Sequence, residues 1–234
     1  MQTLGIILAG GGSRRMSLPD AGGKAASVLA GRSLLAHVGH AVRPAVDRLV
    51  VVAAPDQPLP AETGIDAVIR DSRPGSGPLA GIADALRAAG PGFTRAFVAS
   101  CDVPLLKTAV VRLLLNRVDT PGVAWAVPMV AGYPQVLVSA MRATLLPEIE
   151  ACLATGRRDP RGLLDRLRLP GSDLHACVEL VSASELEAID PRLESFADID
   201  TPDDLARIEA RLLYSASWRP DIPASGGRSR AADG

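Results

Sequence analysis

The sequence predicts an α/β protein with a mostly parallel sheet in a single domain, and three observations carry that expectation. Apolar, β-rich runs recur at residues 4–9, 49–54, 67–69, 96–100 and 123–127 without the strict polar alternation of a half-exposed sheet, which is the pattern of strands buried on both faces. Helix-like stretches at 33–42, 79–88 and 108–117 fall between them, the order of a layered α/β sheet with right-handed crossovers. A glycine run, Gly10-Gly11-Gly12, directly follows the first apolar run, the point at which such sheets present a ligand-facing turn.

Beyond this core the pattern predicts a helix over 141–154, another over 160–167 and a short strand at 177–180. The last helix should open with Thr201 as N-cap, Pro202 as its first residue and Asp203 and Asp204 in its first turn. It should end near Leu213. From Ser215 onward the chain is Ser-, Pro-, Gly- and Arg-rich with few apolar residues, too little to repay the entropy of ordering. The expected organisation is therefore one domain over 1–213 and a disordered tail over 214–234.

A chain of 234 residues can bury one substantial core. With 25 basic against 26 acidic side chains it offers no general electrostatic attraction to nucleic acid or membrane. The N-terminus lacks a basic n-region and the run 4–9 is too short for a signal peptide or a membrane span, so a cytoplasmic location is expected. Three cysteines, Cys101, Cys152 and Cys177, form no CxxC pair, which suits a reducing compartment.

The chemistry-bearing motifs begin with Leu8-Ala9-Gly10-Gly11-Gly12-Ser13-Arg14-Arg15-Met16. Glycines there let several backbone N–H groups converge on one anion, and Arg15 with Lys24 supplies charge for phosphates. It is not a Rossmann fingerprint, which would place glycine where Arg15 stands, nor a P-loop, which would place Ser or Thr where Ala25 follows Lys24. Ser100-Cys101-Asp102-Val103-Pro104 puts a carboxylate at the end of a buried strand. Asp102 there is a candidate Mg²⁺ ligand, or else a cap for a helix starting near Pro104. Cys101 reads as a small buried hydrophobe. The segment from Asp71 to Gly81 is a Gly/Pro loop entering a helix, in which Asp71 meets a nucleotide or simply its own loop. Asp198 and Asp200 share one side of an extended stretch, so Asp200 is a candidate second metal carboxylate. His37, His40 and His175 have no metal-ligand spacing and read as structural.

Taken together, Leu8-Ala9-Gly10-Gly11 with Arg15-Met16, Lys24, Asp71 with Gly75-x-Gly77-Pro78-Leu79-Ala80-Gly81, Cys101-Asp102-x-Pro104, and Asp200-Thr201-Pro202-x-Asp204-Leu205 resemble the molybdenum cofactor guanylyltransferase family. The resemblance implies a Rossmann-like three-layer sandwich of the nucleotide-diphospho-sugar transferase type. It also implies transfer of GMP from GTP to the phosphate of molybdenum-bound molybdopterin, with Mg²⁺ as cofactor and pyrophosphate as product. Molybdoenzymes or cofactor-handling proteins would be transient partners. Residue by residue, Leu8, Ala9, Gly10, Gly11 and Asp71 would contact the nucleotide, Lys24 and Arg15 the phosphates, and Asp102 both nucleotide and metal. The chain departs from the family pattern in Gly23 before Lys24, in a longer segment 17–22 and in Ala53-Ala54-Pro55 after the second strand. Its Asp198-Ile199-Asp200-Thr201-Pro202 resembles the related cytidylyltransferases, so GTP and CTP both stand as donors.

Overall fold

The structure, a computed structural model, describes residues 2–10, 23–61, 64–73, 75–168 and 177–214. Strand β1 (Gln2–Leu8) leads, past the small hairpin of β2 (Val28–Leu29) and β3 (Arg32–Ser33), into helix α1 (Leu34–Val42). Then come β4 (Arg48–Ala53), β5 (Ala67–Arg70), α2 (Gly77–Ala89), β6 (Phe93–Ser100) and α3 (Thr108–Asp119). The second half supplies β7 (Trp125–Val130), β8 (Tyr133–Pro134), β9 (Val138–Arg142), α4 (Leu146–Ala154), α5 (Pro160–Leu167), β10 (Val178–Val181), α6 (Ala183–Glu187) and α7 (Pro202–Tyr214).

The main sheet runs β10-β7-β9-β6-β1-β4-β5, with β8 paired to β7. Strand β1 is parallel to β4 and β6, β4 to β5, and β10 to β7, whereas β9 is antiparallel to both of its neighbours. The two-residue side-chain period of each strand divides the core in two. Leu4, Ile6 and Leu8 pack with Ile82, Ile149 and Leu163 under α2, α4 and α5, while Ile7, Val51 and Phe97 pack with Val38, Val42 and Leu114 under α1 and α3. This is the three-layer sandwich with a mostly parallel sheet that the sequence predicts.

One expectation needs correction. The predicted helix over 141–154 is instead the end of β9, a 3-10 turn at Ala143–Leu145 and then α4. Ala140 and Met141 are fully buried on opposite faces of the sheet, so their backbone pairs with β6 rather than coiling, and Pro147 marks the first turn of the true helix. The antiparallel part of the mostly parallel sheet is β9, which inserts between β6 and β7, with β8 pairing to β7.

Other boundaries differ by a few residues, as expected for element ends. The cap of α7 is reciprocal: Thr201 Oγ1 accepts from the Asp204 N–H at 3.2 Å and Asp204 Oδ2 accepts from the Thr201 N–H at 3.0 Å, a capping box with Asp in place of Glu. No described helix is long and apolar enough to cross a membrane. Gly11, Gly12, Arg14, Arg15, Met16, the segment 17–22, His175 and the tail from Ser215 lie outside the described residues.

Candidate functional site

The strand order reverses at β1, which has β4 on one side and β6 on the other, and open α/β sheets bind ligands outside the carboxyl ends at such a point. Four chain exits meet there. The Ala9 and Gly10 N–H groups donate to the Val52 carbonyl at 2.8 and 3.2 Å, holding the end of β1 against β4. A Cβ on Gly10 would stand 3.3 Å from the Ala54 nitrogen, so glycine permits this close approach. Gln57 completes the junction by donating to the Ala9 carbonyl at 3.0 Å and accepting from the Ala54 N–H at 3.2 Å.

On the other side the Cys101 N–H donates to the Leu8 carbonyl at 3.1 Å, which sets Asp102 just past the end of β6. Asp102 caps no helix, since α3 begins at Thr108 with Lys107 as its N-cap. Cys101 is buried and its thiol is pushed up to about 12 by burial, with the Asp102 charge adding to the effect. It is inert as a nucleophile.

Lys24 lies in the 3-10 turn Gly23–Ala26, pinned by the buried Ala25. Its ammonium reaches Asp200 Oδ1 at 2.5 Å and Asp102 Oδ2 at 3.3 Å. Burial alone would lower the Lys24 pKa, but the hydrogen bond to Asp200 and the charges of Asp102 and Asp200 hold it above the usual lysine value. The lysine is therefore not a solvated loop residue. Ile199 donates its N–H to the Asp102 carbonyl at 2.9 Å and is itself fully buried, so its neighbours Asp198 and Asp200 face the carboxylate side together, as the alternation predicts. The cleft walls strip water from the Asp198 carboxylate, although the residue keeps an exposed surface. That desolvation, with repulsion from Asp200 and Asp102, raises its pKa.

Asp71 accepts from the Arg73 N–H at 2.9 Å, which is the own-loop alternative. The loop is moored below by Asp84, a buried carboxylate of α2 that accepts from the Ser72 N–H at 2.8 Å and the Ser72 hydroxyl at 2.9 Å. Its far end is clasped by Arg158, whose carbonyl accepts from the Leu79 N–H at 3.2 Å and whose Nη1 donates to the Gly75 carbonyl at 3.1 Å. His37 Nε2 bonds the Leu29 carbonyl at 2.9 Å, the structural role expected of it.

Next to Asp102, on the side away from β4, opens a cleft of about 250 Å³ lined by Asp102, Asp198, Gln135, Val136, Phe196 and Arg161 among others. A larger cavity of about 440 Å³ lies at the amino ends of the strands, around Phe93, Arg95, Asp119 and Arg142. Its charges are already engaged: Arg95 pairs with Asp119, and Arg142 donates to the Val123 and Thr120 carbonyls. The smaller cleft, beside Asp102, is thus the candidate site. Among the described residues no group of three or more His, Cys, Asp or Glu side chains forms a metal cage. The pair Asp102 and Asp200 matches the sparser demand of Mg²⁺, which completes its shell with phosphates and water.

Gln57, Asp84, Arg158 and Gln135 escaped the sequence reading. Asp84 left a signal, the one acid of α2, set within the apolar run from Leu79 to Leu86. Gln57 and Arg158 sit in loops and reach Ala9 and Gly75, 48 and 83 residues away, and Gln135 enters as part of the cleft lining.

An α/β sandwich with a mostly parallel sheet, with Gly10 held against β4 at the exit of β1 and a lysine meeting two carboxylates at the switch point, is the architecture of a nucleotidyltransferase. The family model for the MobA-like NTP transferase domain matches residues 5–170, and the chain belongs to that family. It is 33% identical over 209 residues to the molybdenum cofactor guanylyltransferase of Desulfosudis oleivorans, covering 89% of this chain and 95% of that protein. It is 36% identical over 171 residues to a probable molybdenum cofactor guanylyltransferase of Mycolicibacterium paratuberculosis, covering 70% and 82%. Among solved structures it is similar to the molybdopterin-guanine dinucleotide biosynthesis protein A of Archaeoglobus fulgidus, at TM-score 0.70 and 27% identity over 89% of this chain and 97% of that one. The fold alone is shared with the 2-C-methyl-D-erythritol 4-phosphate cytidylyltransferase of Thermus thermophilus, at TM-score 0.63 and 19% identity over 88% and 96%.

Proposed function

We propose that this protein transfers GMP from GTP to the terminal phosphate of molybdenum-bound molybdopterin, releasing pyrophosphate. The observation that carries the reading is the meeting of Lys24, Asp102 and Asp200 at the switch point, beside a cleft large enough for a second substrate. The nucleotide lies along the exits of β1, β4 and β5, against Leu8, Ala9, Gly10 and the loop bearing Asp71, and Gly11, outside the described residues, is a further candidate contact from the sequence. The acceptor enters the cleft between Asp102 and Arg161, which offers a cation for an anionic ligand.

Asp102, Asp198 and Asp200 lie near one another, and the pKa of Asp198 is raised first by desolvation and then by repulsion from Asp200 and Asp102. A divalent cation suits that excess of negative charge, and Asp102 and Asp200 are the residues that would hold it. Bound Mg²⁺ supplies Lewis-acid charge on the phosphates. The acceptor phosphate oxygen attacks the α-phosphorus in line as the bond to pyrophosphate breaks. Lys24, together with Arg15, stabilises the charge gathering on the leaving group. No enzyme nucleophile is needed, in keeping with the buried Cys101. An acceptor phosphate already ionised at neutral pH requires no strong general base.

The run Asp198-Ile199-Asp200 favours a second reading, in which CTP replaces GTP as donor to the same cofactor or to a sugar or alcohol phosphate. Pyrophosphate release from each of the four NTPs, with and without molybdenum cofactor, tests both. GTP-dependent release that requires the cofactor is expected. Release that needs CTP establishes the second reading, and tight NTP binding without release under any condition overturns transfer altogether.

A further inference from the structure

Away from the cleft, one ionic cluster has no part in the chemistry described above. Asp190, at the exit of α6, is fully buried. Its Oδ1 accepts from the Lys107 ammonium at 2.6 Å and its Oδ2 from the Ser195 N–H at 2.8 Å. Ser195, also fully buried, accepts from the Lys107 N–H through its hydroxyl at 3.0 Å. Burying a charge is costly even when it is paired, and apolar residues often do as well or better in its place. The cluster therefore calls for a reason beyond stability.

The reason lies in what its members join. Lys107 ends the segment that starts at Asp102, and Ser195 begins the one that carries Asp198 and Asp200. Between Asp190 and Ser195 the chain passes through Leu193 at φ 50°, a left-handed conformation rare for leucine. Hydrogen bonds from the Leu193 N–H to the Asp190 carbonyl and from the Phe196 N–H to the Leu193 carbonyl hold that turn, at 2.8 and 3.1 Å. The two segments touch again where Ile199 bonds the Asp102 carbonyl. We infer that Asp190, Lys107 and Ser195 form a clasp that sets the spacing between Asp102 and the Asp198–Asp200 pair, and so tunes the affinity of the site for its divalent cation. They are positioning residues, since Asp190 and Ser195 are too deep to touch a substrate. The inference rests on the proposed metal role of Asp102 and Asp200.

The test is direct binding of Mn²⁺ in the presence of GTP, followed by electron paramagnetic resonance, with kcat and the KM for GTP measured alongside. The variants are Asp190→Asn/Lys107→Met, which removes both charges of the pair, and Ser195→Ala. The double variant should remain folded, bind Mn²⁺ about tenfold or more weakly, and lose turnover in step while the KM for GTP changes little. Ser195→Ala should shift Mn²⁺ affinity in the same direction by about threefold or more, and it decides alone if the double variant unfolds. Folded variants with Mn²⁺ affinity and kcat within twofold of the parent would overturn the clasp as a positioning device, even if their melting temperatures had moved. Failure of the underlying reading looks different: Asp102→Ala would bind Mn²⁺ in the presence of GTP as tightly as the parent does.

Discussion

Lys24 and Asp200 lie 176 positions apart in the chain, yet the lysine ammonium stands 2.5 Å from the Asp200 carboxylate. With Asp102 at 3.3 Å on its other side, the ammonium occupies the space between the two carboxylates to which the metal role is assigned. Without a nucleotide, the lysine offsets charge that a divalent cation would otherwise offset.

Removing that charge should therefore be felt twice. Lys24→Ala should lower turnover by roughly ten- to a hundredfold or more, because a charge-assisted contact to phosphate is worth on the order of 1.5–3 kcal/mol. It should also leave Asp102, Asp198 and Asp200 less compensated, so that added Mg²⁺ raises its melting temperature more than it raises that of the parent. Scanning fluorimetry with EDTA and with Mg²⁺, beside steady-state kinetics, measures both. Equal Mg²⁺ shifts in the two proteins would refute the shared position of lysine and metal.

The loop from Asp71 to Gly77 offers a contrast between two glycines. Gly75 has φ +77° and nothing within 4 Å of where a Cβ would stand, whereas at Gly77, with φ +76°, a Cβ would lie 2.7 Å from the Arg158 carbonyl oxygen. Gly75→Ala should cost about 1 kcal/mol, the conformational term alone. Gly77→Ala should cost about 2–3 kcal/mol, because the Arg158 strand of chain must also give way. Urea unfolding separates them, and similar small losses would show that the Arg158 clasp yields easily.

Asp190 makes a pH-dependent contribution. Burial by itself would raise its pKa, but hydrogen bonds from Lys107 and Ser195 overcome this and hold the carboxyl below its ordinary value of 3.8. A pKa lowered by folding gives stability that is present above the unfolded value and lost as pH falls through the folded one. The stability gap between the parent and Asp190→Asn should thus be widest near neutral pH and narrow below pH ~4. Denaturant melts across that range measure the gap, and a gap that widened in acid would reverse the assignment.

Much of this architecture was legible in the residues themselves. The unbroken apolar runs of β1, β4 and β6 and the cap Thr201-Pro202-x-Asp204 are local signals, and they appear where the sequence places them. Strand β9 was not legible, because Met141 and its neighbours run without punctuation into α4 and only pairing with β6 selects the extended form. The site divides in the same way. Asp102 is visible as an acid at a strand end, and the shared side of Asp198 and Asp200 follows from a two-residue period. The meeting of Lys24 with Asp200, the mooring of the Asp71 loop by Asp84 and the clasp of Lys107 on Asp190 join segments 176, 12 and 83 residues apart. No spacing rule within one segment reports the longer two, and the shortest shows only as the one acid within the apolar run of α2.

The central claim, that Asp102 holds the catalytic cation of a nucleotidyl transfer, is tested most directly by acceptor-dependent pyrophosphate release from GTP at saturating and limiting Mg²⁺, comparing the parent with Asp102→Ala. The carboxylate stands past the end of β6, only partly buried, so its removal opens no core cavity and the fold should survive. The account predicts a loss of turnover of about a hundredfold or more with a melting temperature close to that of the parent. Near-normal turnover by the folded variant at limiting Mg²⁺ would contradict it.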